Sequence, residues 1–172
     1  MSRHDDEFAR FVVARGGSLR RTAYLLTGNW HAAEDLTQET FVRLYSAWGR
    51  LSRRDALDAY ARRTLVRLHL DERRRRRSTE KIVPFVAEGS MTTQVDLPED
   101  RLDLVCALAM LPPRQRAVLV LRFWEDLDVA GVSDLMDCPA GTVKSLTSRA
   151  LAALRTELGA DGSVVALPGD EV

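Results

Sequence analysis

Residues 30–48 read WHAAEDLTQETFVRLYSAW, and the spacing within them decides the fold. Ala33, Leu36, Thr37, Thr40, Phe41, Leu44, Tyr45 and Trp48 recur at i, i+3, i+4 and i+7, which places them on one face of a helix. The other side shows Glu34, Asp35, Gln38, Glu39 and Arg43. A stripe of that width is stable only against other helices, so the chain reads as a packed helical protein.

The same period extends outward in both directions. Upstream, residues 5–15 set Phe8, Phe11 and Val12 on one face. Gly16-Gly17 predicts an interruption there, with Ser18 capping a second helix through Leu19, Ala23, Leu25 and Leu26. Gly28 suits the left-handed residue that ends it. Downstream, residues 49–54 form a basic loop. A helix from about Asp55 then carries Leu57, Tyr60, Ala61, Leu65 and Leu68 into five consecutive arginines at 73–77.

Periodicity fails from Ser78 to Glu99, where Pro84, Gly89, Pro98 and the polar run 90–94 mark a flexible linker. It returns with Leu102, Val105, Cys106 and Ala109, stops at Pro112-Pro113, and resumes at Ala117, Val118 and Leu121. A short element over 128–136 precedes a last helix from about Pro139. No strand-like alternation competes with this pattern. The expected architecture is all-α, with a helical domain over 1–78, an acidic linker over 79–100, a second helical domain over 101–158 and a disordered tail over 159–172.

The formal net charge of zero conceals a segregation along the chain. Residues 1–78 hold 17 Lys+Arg against 10 Asp+Glu, whereas residues 79–100 hold 1 against 5. A basic first domain suits a polyanionic partner, and an acidic linker stays solvated. Enzyme classes find no support. His4, His31 and His69 are far apart, no HExxH or glycine-rich phosphate loop occurs, and the Glu34–Asp35 pair belongs to a solvated helix face. No catalytic residue, metal site or small-molecule cofactor is expected. No apolar run is long enough to span a membrane, and the acidic start MSRHDDEFARFVV has no signal core, so a cytoplasmic location is expected. Cys106 and Cys138 read as free thiols of a reducing compartment; Cys138 would be reactive only if set at a helix N-terminus.

Residues 128–136, the turn Asp137-Cys138-Pro139 and the helix that follows have the proportions of a helix-turn-helix. In the last helix Val143, Leu146, Ala150 and Leu154 form the buried row. The opposite side then presents Gly141, Lys144, Ser145, Ser148 and Arg149, small or basic residues that allow close approach to a major groove. Thr142, near the helix start, is placed to donate to a phosphate.

Leu111-Pro112-Pro113-Arg114-Gln115-Arg116, Gly141-Thr142-Val143-Lys144-Ser145 and Ser148-Arg149-Ala150-Leu151 resemble the last domain of bacterial sigma factors of the extracytoplasmic-function type. Ala33-Glu34-Asp35-Leu36-Thr37-Gln38-Glu39-Thr40-Phe41 resembles that family's core-polymerase-binding helix. Ala59-Tyr60-Ala61-Arg62-Arg63-Thr64-Leu65, with Asp71-Glu72 and the arginine run, is similar to its −10-reading helix. The N-terminal stretch from Phe11-Val12 to Thr27-Gly28 is similar to the actinobacterial, SigE-like branch. The resemblance covers about residues 5–158.

It implies that Thr142, Lys144, Ser145, Ser148 and Arg149 contact the −35 element. It further implies that Arg53, Arg54, Arg62, Arg63, Arg67, Arg73 and Arg74 serve the −10 element and its melting. Glu34, Asp35, Gln38 and Glu39 would bind the clamp of core RNA polymerase, an assignment their poor match to phosphate supports. The implied partners are core polymerase, promoter DNA and an anti-sigma factor. A sigma subunit holds two DNA elements about 50–70 Å apart, two helical turns of duplex, and a 22-residue linker extends to at most about 75 Å.

The chain departs from the family pattern in the helix-turn-helix. Gly131, Ser133 and Asp137 stand where Glu, Ala and Gly are usual, Pro139 replaces a capping Ser, and Arg67 stands where Asn is frequent. Gly131 is expected to cost about 1 kcal/mol as a mid-helix glycine. These departures keep two alternatives open: a conventional helix-turn-helix regulator, and a polymerase-binding adaptor with weakened DNA binding.

Overall fold

The computed structural model describes residues 3–51, 54–79 and 99–159, and all regular structure among them is helical. The first domain comprises α1 (Arg3–Thr27), α2 (Trp30–Ala47), a 3-10 turn (Trp48–Arg50) and α3 (Arg54–Thr79). The second comprises α4 (Glu99–Met110), α5 (Pro113–Leu119), a π-helical turn (Val120–Trp124), α6 (Val129–Met136) and α7 (Ala140–Gly159). The expected linker and tail lie, apart from their helical ends, outside the described residues.

Helix α1 runs unbroken through Gly16-Gly17, against the expected interruption. Two helical glycines cost about 1 kcal/mol each relative to Ala. Burying Leu19 and Leu26 on the same helix returns about 1.5–3 kcal/mol apiece, so packing overrides the local preference. Ser18 therefore caps nothing; its hydroxyl donates to the Arg15 carbonyl within the helix. The true end is at Gly28, left-handed at φ 71°, whose N–H donates to Tyr24 O at 2.7 Å. Asn29 then caps α2, its side chain accepting from Ala32 N at 3.0 Å.

The predicted stripe of α2 is buried at Ala33, Leu36, Thr37, Thr40, Leu44 and Trp48. Tyr45 is an exception: it is exposed, its ring edge-on to Phe8 (centroids 4.9 Å apart) and its hydroxyl donating to Asp5 at 2.8 Å. Phe8 also meets Trp48 edge-to-face at 5.1 Å, which fixes the start of α1 across α2. Cys106, expected on an apolar face, is likewise exposed.

In the second domain Pro112 and Pro113 start α5, and the chain widens into the π-helical turn, where Glu125 N donates to Val120 O at 3.0 Å. Helix α6 is capped by Asp128, whose carboxylate accepts from Gly131 N at 2.7 Å. Gly131 thus sits in the first turn rather than mid-helix, and the expected cost does not apply in that form. A Cβ there would come within 3.2 Å of the capping oxygen. Asp137 ends α6 in the left-handed conformation (φ 50°, ψ 57°). Ser133 closes the turn, its hydroxyl donating to Cys138 O at 2.5 Å while its carbonyl accepts from Cys138 N at 3.2 Å. The Pro139 carbonyl then accepts from Thr142 N and Val143 N, so a proline replaces the usual serine with the first helical bonds intact.

The two domains do not stand apart. Helices α1 and α3 pack directly on α4, α5, α6 and the π-helical turn, and the buried side chains of both domains join in one cluster.

Candidate nucleic-acid and polymerase interfaces

Helix α7 buries Val143, Ala150 and Leu154 and half-buries Leu146, the row read from its spacing. Lys144, Ser148 and Arg149 are consequently exposed within a turn and a half of one another. Thr142 and Ser145 are half-buried beside them, and the Ser145 hydroxyl donates back to Thr142 O at 3.0 Å. Two cations and three short hydroxyl side chains on one helix face suit a groove lined by phosphates.

Helix α3 carries its arginines on two adjoining stripes. Arg63, Arg67 and Arg74 are exposed, and Arg74 pairs with Asp71 at 3.5 Å. Arg62 and Arg73 are half-buried along the next row. Arg54 opens the helix, but its side chain and the whole of Arg53 lie outside the described residues. The remaining arginines are brought together on one helix, though not all toward solvent. Arg67, Arg73 and Arg74 line a cleft of about 620 Å³ whose other wall is Arg114, Leu135, Met136 and Asp137 of the second domain.

On α2, Glu34, Asp35, Gln38 and Glu39 are all exposed on one side of the bundle. Glu34 lies 3.7 Å from Arg20, and Glu39 accepts from Arg43 at 2.8 Å. Asp35 makes no ion pair among the described residues, so it presents the least compensated carboxylate of the group. Such a patch attracts a basic surface and repels phosphate.

Residues at the domain boundary escaped the sequence reading. Glu125 accepts from the Thr22 hydroxyl of α1 and pairs with Arg62 Nε of α3 at 3.2 Å. Arg116, buried in α5, donates to Leu26 O of α1 at 3.0 Å. Burial pushes this guanidinium down to about 10, with Arg73 adding to the effect, so it stays charged at neutral pH. His69 is 2% exposed, and its Nε2 has no hydrogen-bond partner among the described residues. Burial, then the charges of Arg73 and Arg116, lower its pKa to about 3. A histidine on an otherwise apolar face was the one available signal of this boundary. Its partners are too distant in sequence for periodicity to reveal.

Comparison with known proteins identifies the family. The family described as Sigma-70 region 2 matches residues 11–79, and Sigma-70, region 4 matches residues 101–154. The RNA polymerase sigma-E factor of Streptomyces avermitilis is 35% identical over 152 residues, spanning 88% of this chain and 85% of that protein. The ECF RNA polymerase sigma factor SigW of Bacillus subtilis is 28% identical over 167 residues, covering 89% of each. Among solved structures, the sigma factor RpoE of Bartonella quintana, crystallised with the anti-sigma factor NepR, superposes with a TM-score of 0.66. It is 24% identical and covers 90% of this chain and 98% of its own. Sequence and fold together place the chain in the extracytoplasmic-function (ECF) group of the sigma-70 family of RNA polymerase sigma factors.

Proposed function

We propose how the work of this sigma factor is divided over its surfaces. The chain binds core RNA polymerase and directs it to promoters, as its family does. The exposed row of α7 enters the major groove of the −35 element, with Lys144 and Arg149 as principal contacts and Thr142, Ser145 and Ser148 beside them. The observation that carries this reading is the opposition of Lys144, Ser148 and Arg149 to the fully buried Val143 and Ala150, which leaves a single face of α7 to meet DNA.

Within the first domain, Arg62, Arg63, Arg67, Arg73 and Arg74 hold the −10 element together with Arg53 and Arg54. The face of Glu34, Asp35, Gln38 and Glu39 docks on the basic clamp of the polymerase. The protein performs no catalytic step of its own and works in the cytoplasm; among the described residues no helix is long and apolar enough to cross a membrane. An anti-sigma factor is a partner by analogy with the relative crystallised with one. Run-off transcription from genomic fragments with purified core polymerase, with and without the chain, tests the assignment. Promoter-specific transcripts that require the chain are expected, and their absence overturns it.

A further inference from the structure

We propose that the cleft between α3 and the α5–α6 edge of the second domain is a binding site for a nucleoside polyphosphate. Its volume of about 620 Å³ falls within the roughly 300–1,000 Å³ of small-molecule sites. Arg67, Asp71 and Arg74 recur at helical spacing, so α3 lays them along the cleft as a single row. Arg73 lies beside that row, and Arg114 of α5 adds a cation from the second domain. Arg74 pairs with Asp71 at 3.5 Å, whereas Arg67 and Arg114 make no ion pair or hydrogen bond among the described residues. Burial and then the charge of Arg73 depress both His69 and Arg116, so the positive field of this wall reaches the buried side of α3 as well. Guanidinium groups spread over two walls suit contiguous phosphates better than a single one.

The rest of the lining distinguishes a nucleotide from a bare phosphate chain. Leu70, Pro113, Leu135 and Met136 supply an apolar surface against which a flat base can lie. Asp137 adjoins Met136, and its carboxylate makes no hydrogen bond or ion pair among the described residues. A carboxylate there repels phosphate but accepts from ribose hydroxyls or a base amino group. It is held at φ 50°, a conformation that Gly takes more readily, so the chain keeps a strained residue at the rim of this cleft. Arg67 and Asp137 are two of the positions at which the chain departs from the family pattern, and the fold brings them to facing walls of one cleft. Phosphates on the arginines, with base and ribose against Met136 and Asp137, use all three features at once.

The test is calorimetric titration of the full chain, in buffer free of phosphate and divalent cations, with ATP, inorganic tripolyphosphate and adenosine as probes. ATP should bind saturably at one site, tripolyphosphate more weakly and adenosine not measurably. Arg114→Ala and Arg67→Asn should each weaken ATP binding by about tenfold, the loss of one charge-assisted contact. Asp137→Gly should weaken ATP by about tenfold while leaving tripolyphosphate unchanged or tighter. Because Gly relieves the turn, that loss cannot come from unfolding. Arg21→Ala, at an exposed position of α1 outside the cleft, should leave ATP affinity unaltered. Absence of saturable ATP binding overturns the proposal, as does tripolyphosphate binding as tight as that of ATP. Equal weakening by Arg21→Ala overturns it too, since that marks diffuse attraction to a basic surface, and so does ATP affinity indifferent to Arg114→Ala or to Asp137→Gly. Neither DNA nor polymerase is present, so the outcome is independent of the surfaces assigned to them above.

Discussion

Arg116 bridges the last turns of two helices in different domains: one guanidinium nitrogen donates to Leu26 O of α1 at 3.0 Å, and another to Ala109 O and Leu111 O at the end of α4. The final carbonyls of a helix lack intrahelical donors and carry the negative end of its dipole. A planar cation with several donors satisfies both ends at once. At 3% exposure, no water replaces it easily.

Arg116→Met, which keeps the bulk and removes the donors, should therefore lower stability by about 2–4 kcal/mol in urea titration, because buried carbonyls lose their partners. Arg116→Lys should recover less than half of the loss, since an ammonium lacks the planar fork that serves separated acceptors. Full stability of Arg116→Met would show that the bridge is incidental.

His69 makes stability depend on pH with a definite sign. Its folded pKa of about 3 lies below the ordinary 6.5, so the unfolded chain binds the proton more readily. The contribution is complete above about pH 6.5 and is lost as pH falls toward 3, at about 1.4 kcal/mol per pH unit. Between pH 7.5 and 5.5 the wild type should lose about 1.4 kcal/mol more than His69→Leu, read from paired denaturant titrations. Equal slopes for the two proteins would mean that the ring is hydrated or paired in solution.

The turn of the helix-turn-helix shows how much a sequence conveys and where it stops. The buried row of α7, the stripe of α2 and the break at Pro112-Pro113 follow from period alone, because each concerns residues within a few turns of one another. Gly131 falls in the first turn rather than mid-helix because the boundary depends on Asp128 acting as cap, a choice settled by backbone geometry. The continuity of α1 through Gly16-Gly17 depends on tertiary burial, which propensity does not include. The pairing of Glu125 with Thr22 and Arg62 joins residues on either side of the linker, beyond the reach of any local pattern.

Substitutions in that turn should follow the observed bonds. Asp137→Gly should stabilise by about 0.5–1 kcal/mol, because Gly adopts φ 50° without a side-chain clash. Ser133→Ala should destabilise by about 1 kcal/mol through loss of the bond to Cys138 O. Gly131→Ala should fail to stabilise despite better helix propensity, since the new Cβ crowds the Asp128 cap at 3.2 Å. Thermal melts of the three variants check the order; a stabilising Gly131→Ala would contradict the cap geometry.

Polymerase docking is predicted to centre on Asp35, the carboxylate of its face without an ion pair among the described residues. Asp35→Arg reverses that charge and should weaken association with core polymerase by tenfold or more, about 1.4 kcal/mol or above, with helicity unchanged. Gln38→Ala should have a smaller effect in the same direction. Undiminished capture of core by Asp35→Arg would remove this surface from the interface.

The recognition face of α7 gives the most discriminating experiment, because base and phosphate contacts leave different traces. Lys144 and Arg149 are exposed cations opposite Val143 and Ala150, and neither side chain supports the fold in a way that its loss would disturb. A bidentate base contact discriminates by about 1–3 kcal/mol, whereas each phosphate contact adds about 0.9 to the magnitude of the salt slope. Lys144→Ala and Arg149→Ala should each reduce promoter-specific transcription by the polymerase complex, about tenfold where a base contact is lost. If Arg149 reads a base, its removal also flattens preference at one or two −35 positions while the salt slope changes little. If it holds a phosphate, all sequences weaken together and the slope falls by about one. Wild-type transcription by the double variant across a salt titration would show that α7 is not the −35 reader, and would favour the adaptor reading in which the second domain no longer engages DNA.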